Sequence, residues 1–314
     1  MQYSIMNIAF WDNSLSERGT TVALYDYAHF NETILGNKSF IFYGGNSNGN
    51  KDSVIKKFKD RFTVHGVPDF SHVDQYLVKY GVTHIYIIKS GERNNQLSKV
   101  AKNCSHAVFK YHPHGDIYAA ISPCVTGARG APVVPHMINL PVNDKNLRKA
   151  LTIPSDAIVF GGYGGATSFS IPFVHKVVHD VAKANPHIYF LFANFNRFCD
   201  PLPNIIHLEA IIDLEKKVEF INTCDAMLHA RSDGETFGIA VGEFSSMNKP
   251  VITTRSGDSA HIEILGSKGT LYTSPEDLTQ ILTQFKVIEG DWNAYREYTP
   301  EKVMGIFKVI FLQN

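Results

Sequence analysis

The sequence predicts an α/β protein built as two doubly wound, parallel-sheet domains. Short apolar runs of strand length alternate with stretches of helical periodicity along the chain. That alternation argues for parallel sheets covered on both faces. Around residues 141–150 it lapses into Asn, Asp, Lys and Arg, then restarts, as expected of a linker. A chain of 314 residues has room for two domains of ordinary size. The expected domains are 1–142 and 143–297, with a closing segment at 298–314.

In the first half, a strand is expected over 5–11, and a helix pattern runs through Val22, Tyr25, Ala28 and His29. Strand 39–43 follows, then a basic helix over 51–61 that reads as a solvated face. After a short strand at 62–67 comes a helix over 71–80 with Ser71 as its cap. Near-continuous apolar character marks strand 83–88, and 105–111, 117–122 and 132–134 are further strand candidates. Beyond the linker come strand 157–161, a glycine-rich loop, and a helix over 171–185 striped by Val174, Val177, Val178 and Val181. Strands 187–193 and 205–207, helix 214–222, strand 225–230, helix 239–247 and strand 250–254 continue the pattern. The chain closes with helix 260–265, strand 270–273, a helix capped at Ser274 with Pro275 in its first turn, and a last helix running from Thr299 towards Phe311. No repeat of solenoid period is visible.

Composition narrows the function. The hydrophobic share of 44% suits real cores, and 30 basic residues balance 30 acidic ones for a net charge of +0. Nothing in that balance suggests an electrostatic grip on nucleic acid, and no nucleic-acid partner is expected. Cys104, Cys124, Cys199 and Cys224 are scattered without zinc spacing, so no metal is expected, and the thiols read as reduced and cytoplasmic. The start shows no signal-peptide pattern, and no stretch approaches a membrane span, which leaves peripheral membrane contact open.

The most informative stretch is 232–244, between the strand at 225–230 and the helix at 239–247. Glu235 and Glu243 lie eight positions apart, with Gly238 and Gly242 between them. A loop that opens a helix offers unpaired N–H groups, which suit an anion such as a diphosphate. Gly-Glu-Thr-Phe-Gly-x4-Glu, followed by Asn-Lys-Pro-Val-Ile, resembles the donor-site motif of family 4 retaining glycosyltransferases of the GT-B fold. The resemblance implies two Rossmann-like domains facing a cleft, with the last helix crossing back onto the first. It implies that Glu235 lies by the donor sugar and that Thr236, Phe237, Gly238 and Ile239 hold the diphosphate. Glu243 would bind the ribose.

Other positions follow from the same resemblance. Gly19 and Thr20 or Thr21, after the first strand, match the loop that approaches donor phosphate and acceptor. Gly162 and Gly164 fall in the nucleotide loop 161–165, with Asn194 after the next strand. Relatives usually end that loop in an Arg, with a Lys a few residues on, but 160–173 contains no Arg or Lys. Arg197, Arg231 and Arg255 are the candidates to replace them. His106, then His114, are the choices for the histidine that meets the donor sugar. His112 lies in the same histidine-rich run, which meets no defined metal motif.

The implied activity is transfer of a sugar from a nucleotide-diphosphate donor to a hydroxyl of a glycan or other acceptor, with no cofactor and no bound metal. The alternatives are a GT-B-type epimerase and a non-catalytic nucleotide-sugar-binding homologue.

Overall fold

The computed structural model describes residues 5–313. Residues 1–4 and 314, which the expected domain ranges include, lie outside them. The chain divides into two compact units, Met1–Met137 with Tyr298–Asn314, and Ile138–Glu297.

The first unit contains β1 (Asn7–Asp12), α1 (Gly19–Thr33), β2 (Lys38–Gly44), α2 (Asp52–Lys59), β3 (Thr63–Val67), α3 (Val73–Lys79), β4 (His84–Lys89), β5 (Lys102–Ala107) and β6 (Ile117–Ala120). The second contains β7 (Ile158–Tyr163), α4 (Pro172–Ala184), β8 (Ile188–Ala193), β9 (Ile205–Leu208), α5 (Leu214–Thr223), β10 (Ala226–Leu228), β11 (Gly234–Glu235), α6 (Ile239–Ser246), β12 (Val251–Thr253), β13 (Asp258–Ser259), α7 (Ala260–Leu265), β14 (Gly269–Leu271) and α8 (Pro275–Gln284). The last helix, α9 (Pro300–Phe307), belongs to the first unit and continues as a π turn, Lys308–Leu312.

Six strands of the first unit pair in the order β3-β2-β1-β4-β5-β6, all parallel. Both faces of the central strands are buried. Ala9 and Trp11 of β1 pack with Phe40, Phe42, Ile85, Ile87 and the α3 residues Val73 and Leu77. Ile8 and Phe10, which alternate with them, are also fully buried. On that second face the Tyr86 ring meets Phe10 at 5.5 Å, Tyr27 of α1 at 5.3 Å and Phe307 of α9 at 5.2 Å. Each such fully buried aromatic contributes about 1.5–3 kcal/mol relative to exposure, so α9 is part of this core.

The second unit repeats the plan as β14-β12-β10-β7-β8-β9, again parallel. Its core joins Phe160, Phe190, Phe192, Leu228 and Ile252 of the sheet to Val174, Val178 and Val181 of α4 and Leu278 and Leu282 of α8. The strand order reverses between β7 and β10. In doubly wound sheets, ligands bind outside the carboxyl ends of the strands at such a switch point.

The structure moves several expected boundaries. β5 starts earlier and ends at Ala107, because Val108 and Phe109 turn back to the carbonyls of Lys89 and Ser90. Residues 132–134 make only an isolated bridge between Ala120 and Val133, since Pro132 has no N–H to extend a ladder. α2 is not simply a solvated face, because Val54 and Phe58 are buried beneath its lysines. β7 runs on through Gly162 to Tyr163 instead of ending at Gly161. Those glycines serve packing: an added Cβ would lie 2.2 Å from Cys224 Sγ at Gly161 and 2.9 Å from the Leu228 carbonyl oxygen at Gly162. The loop therefore begins at Gly164.

Among the described residues, no helix is long and apolar enough to cross a membrane.

Candidate functional site

In the second unit, the carboxyl ends of β7 and β10 flank the switch point, and each leads into a loop that the sequence singles out. After β7, Gly164 begins a turn in which Ser168 N–H donates to the Gly165 carbonyl at 2.9 Å. Asn194, at the end of β8, sits in the left-handed region at φ 62° and donates from Nδ2 to the Gly164 carbonyl at 2.7 Å. Asparagine tolerates that conformation better than most residues. Its amide thereby fixes the loop from the neighbouring strand.

After β10, the chain passes through Arg231 and Asp233 into β11. This two-residue strand pairs Gly234 with Asp258 and Glu235 with Ser259 of β13. Its backbone is forced: Gly234 has φ 66°, and a Cβ there would meet the Asp258 and Ser256 carbonyl oxygens at 2.0 and 2.2 Å. The small sheet holds Glu235 in place at the threshold of α6. Thr236 and Phe237 are buried, and the Phe237 carbonyl accepts from Tyr295 OH at 2.7 Å. Gly238 then caps α6 in the left-handed conformation, φ 81° and ψ 68°, with no side chain closing the cap. The first amides of a helix lack intrahelical partners and carry its positive dipole end. Ile239 is the first residue of that turn, and Glu235 lies against it, its Cβ 3.4 Å from the Cβ position of Gly238.

The Glu235 carboxylate accepts from Arg231 Nη1 at 3.3 and 3.2 Å and faces His229 Nε2 at 3.4 Å. Burial raises its pKa, but the His229 contact and the Arg231 guanidinium outweigh it and hold the carboxyl below its ordinary range. Glu235 is therefore ionised at neutral pH.

Glu243, just past the first turn of α6, is buried at 4% exposure. Lys217 of α5, itself 7% exposed, donates to its Oε1 at 2.8 Å, and Tyr163 OH donates to its Oε2 at 2.5 Å. Both oxygens are thus engaged, each keeping a second lone pair. Lys217 Nζ also stands 5.5 Å from the centre of the Tyr163 ring. The sequence reading omits Lys217 and Tyr163. One signal was available: Lys217 falls on the helix face of Leu214, Val218 and Ile221, where an apolar residue is expected.

Of the cations proposed for the nucleotide loop, Arg231 is engaged by Glu235 and lies 4.0 Å from Asp233. Arg197 and Arg255 are both exposed.

In the first unit, Arg18 organises the turn after β1. It donates to Asp12, to the Ser14 carbonyl and hydroxyl, and to the Ser16 hydroxyl. Thr21 Oγ1 donates to Asp12 Oδ2 at 2.6 Å, so of the two threonines offered by the sequence, Thr21 is tied down. Gly19 is exposed and Thr20 partly exposed at the start of α1, which has no side-chain cap.

His106 has no accessible surface. It points from β5 into the aromatic core, with Nδ1 2.6 Å from Tyr86 OH and its ring packed against Tyr27, His136 and Phe311. Burial and then His136 push its pKa well below the ordinary value. The alternation of β5 turns this side chain inward, which corrects the preference for His106 over His114. His114 is partly exposed. It donates from Nδ1 to the His112 carbonyl at 2.8 Å, which leaves Nε2 to accept from Lys89 Nζ at 3.2 Å. Burial lowers Lys89 to about 8. His112 is exposed and pairs with Glu92. Among the described residues, no group of three or more His, Cys, Asp or Glu is arranged to hold a metal ion.

No protein-family model matches the sequence, and no curated protein matches it. Solved structures do. A glycosyltransferase from Rickettsia africae superposes with a TM-score of 0.72 at 15% identity, over 99% of this chain and 100% of the other. WaaG, a glycosyltransferase involved in lipopolysaccharide biosynthesis, gives 0.68 at 11% identity, over 96% and 99%. Anabaena HepE in complex with UDP-glucose gives 0.67 at 14% identity, over 98% and 95%.

The fold is GT-B.

Among the described residues each of the two main sheets has six strands, and the Glu235 loop and the Gly164 loop follow the strands at the switch point of the second.

Proposed function

We propose that this protein is a retaining glycosyltransferase of the family 4 type, which moves a sugar from a nucleoside-diphosphate donor to a hydroxyl of an acceptor. The strongest support is the ionised Glu235 beside the uncapped amino end of α6, at the switch point of the second sheet. An anionic diphosphate fits amides and a positive helix end, while a fixed carboxylate suits positive charge developing at an anomeric carbon. In this reading the second unit binds the donor, and the first unit's β1–α1 turn, with Gly19 and Thr20, serves the acceptor. Glu243 accepts from the ribose through its remaining lone pairs, and no metal is required.

The test combines a thermal-shift screen of UDP-, ADP- and GDP-sugars with an assay of nucleotide release and NMR of the product anomer. A donor at about 100 times its Kd stabilises the native state by about 2.7 kcal/mol. Stabilisation and release with retained configuration support the reading, and no response to any sugar nucleotide sinks it. The loop 164–170 has no Arg or Lys, which favours a non-catalytic binder as the second reading. That protein would be stabilised by a sugar nucleotide without consuming it.

The cations can be tested separately. Arg197→Ala and Arg231→Ala are each expected to weaken UDP binding roughly tenfold or more, the cost of one charge-assisted contact. Unchanged calorimetric affinity in both variants removes these residues from the diphosphate site.

A further inference from the structure

Glu235 is the outer end of a buried polar chain that neither the motif nor the comparisons assign. His229 follows β10, Thr253 ends β12 and His261 lies in α7, at 8%, 0% and 0% exposure. His229 Nε2 faces Glu235 Oε1 at 3.4 Å, His229 Nδ1 meets Thr253 Oγ1 at 2.8 Å, and Thr253 Oγ1 meets His261 Nε2 at 3.1 Å. The two imidazole rings lie 4.8 Å apart. Tyr272 OH donates to the His229 carbonyl at 3.0 Å and holds the backbone.

Donor and acceptor capacities give the chain a direction. A carboxylate only accepts, so the proton between His229 and Glu235 belongs to Nε2. Neutral His229 then has a lone pair at Nδ1, to which the Thr253 hydroxyl donates. The Thr253 oxygen accepts in turn from His261 Nε2–H, leaving His261 Nδ1 as a lone pair. That atom is buried without a hydrogen-bond partner. Burial, reinforced by His229, lowers His261 to about 3, so its ring does not take up a second proton near neutrality. The His229–Glu235 distance is long for a closed bond, as is common in unliganded sites.

We infer that His229 is a positioning residue for Glu235, and that the Thr253 hydroxyl, backed by His261, pins the His229 ring so that Nε2–H faces the carboxylate. This rests on reading Glu235 as the carboxylate beside the donor sugar. It adds how that carboxylate is kept in one orientation: Arg231 grips it from the exposed side and His229 from the buried side.

Two measurements test the inference. Long-range 1H–15N NMR of the intact protein reads which His229 nitrogen carries the proton, and Nε2 is expected to carry it. Kinetics of Thr253→Val and Thr253→Ser, with the sugar nucleotide that the parent consumes, separate a hydrogen-bonding role from a packing role. Valine keeps the volume and removes the hydroxyl; serine does the reverse. Thr253→Val is expected to lose on the order of tenfold in kcat with little change in donor KM, and Thr253→Ser to recover most of it. His229→Gln, which keeps an amide donor near the Nε2 position, should retain more turnover than His229→Asn, which cannot reach Glu235. An unprotonated Nε2, or a Thr253→Val variant that turns over like the parent, overturns the inference. If the parent consumes no sugar nucleotide, the proposed function fails, and the NMR measurement in parent and Thr253→Val still decides the chain: its loss in the valine variant supports it, and an unchanged spectrum overturns it.

Discussion

Glu235→Gln is expected to lower kcat on the order of 100-fold, the scale of losing one preorganised electrostatic contact in a transition state. Donor affinity should change far less. Glutamine keeps the size of the side chain, and its carbonyl can still accept from Arg231 and His229. What it lacks is the negative charge that the surroundings maintain at neutral pH. Charge on Glu235 matters most when positive charge develops at the anomeric carbon, so its removal acts on the transition state more than on the bound donor. Steady-state kinetics of Glu235→Gln beside Glu243→Gln decide this, because Glu243 is assigned to donor binding. If Glu235→Gln turns over like the parent while Glu243→Gln stops the chemistry, the two roles are reversed. If neither variant matters, the stretch is structural and the transferase reading falls.

Lys217→Met is expected to destabilise the second unit by about 3–5 kcal/mol, the cost of leaving one partner of a buried ion pair uncompensated. Lys217 and Glu243 are both buried and 2.8 Å apart, so removal of the lysine leaves a carboxylate held only by Tyr163. Urea unfolding of the single variants and of Lys217→Met with Glu243→Leu completes the cycle. The double variant should recover much of the loss, because replacing both charges by apolar groups removes the unpaired-charge penalty. A single variant as stable as the parent would show that the pair does not carry a buried charge. The same cycle bears on donor binding. Glu243 must present its spare lone pairs in a fixed direction, and Lys217 and Tyr163 fix them. Lys217→Met should therefore also weaken nucleotide binding in whatever fraction remains folded.

Much of the fold was legible because the required signals are local. A parallel strand buried on both faces has to be nearly continuous in apolar residues, as Ile8 to Trp11 and Ile85 to Ile87 are, and α4 has to carry its valines at helical spacing. The order of Glu235, Gly238 and Glu243 through a loop into α6 was equally readable, since a helix start constrains neighbours within a few residues. Two similar runs of strand and helix were enough to expect two sheets.

Contacts between distant segments were decided only by the tertiary structure. A histidine in an apolar run reads alike whether it faces a ligand or a core, and β5 turns His106 inward among Tyr27, Tyr86 and Phe311. Gly161 and Gly162 look like a loop until Cys224 and Leu228 are seen pressing on them. Lys217 looks like a surface charge until α5 sets it against Glu243, 26 residues away. Thr253 and His229 are joined across 24 residues and acquire a direction only because Glu235 can accept and never donate. Sequence fixes periodicity and the order of side chains along one element. Which buried donor meets which acceptor depends on how separate strands are laid side by side, and that determines the environment in which Glu235 would act.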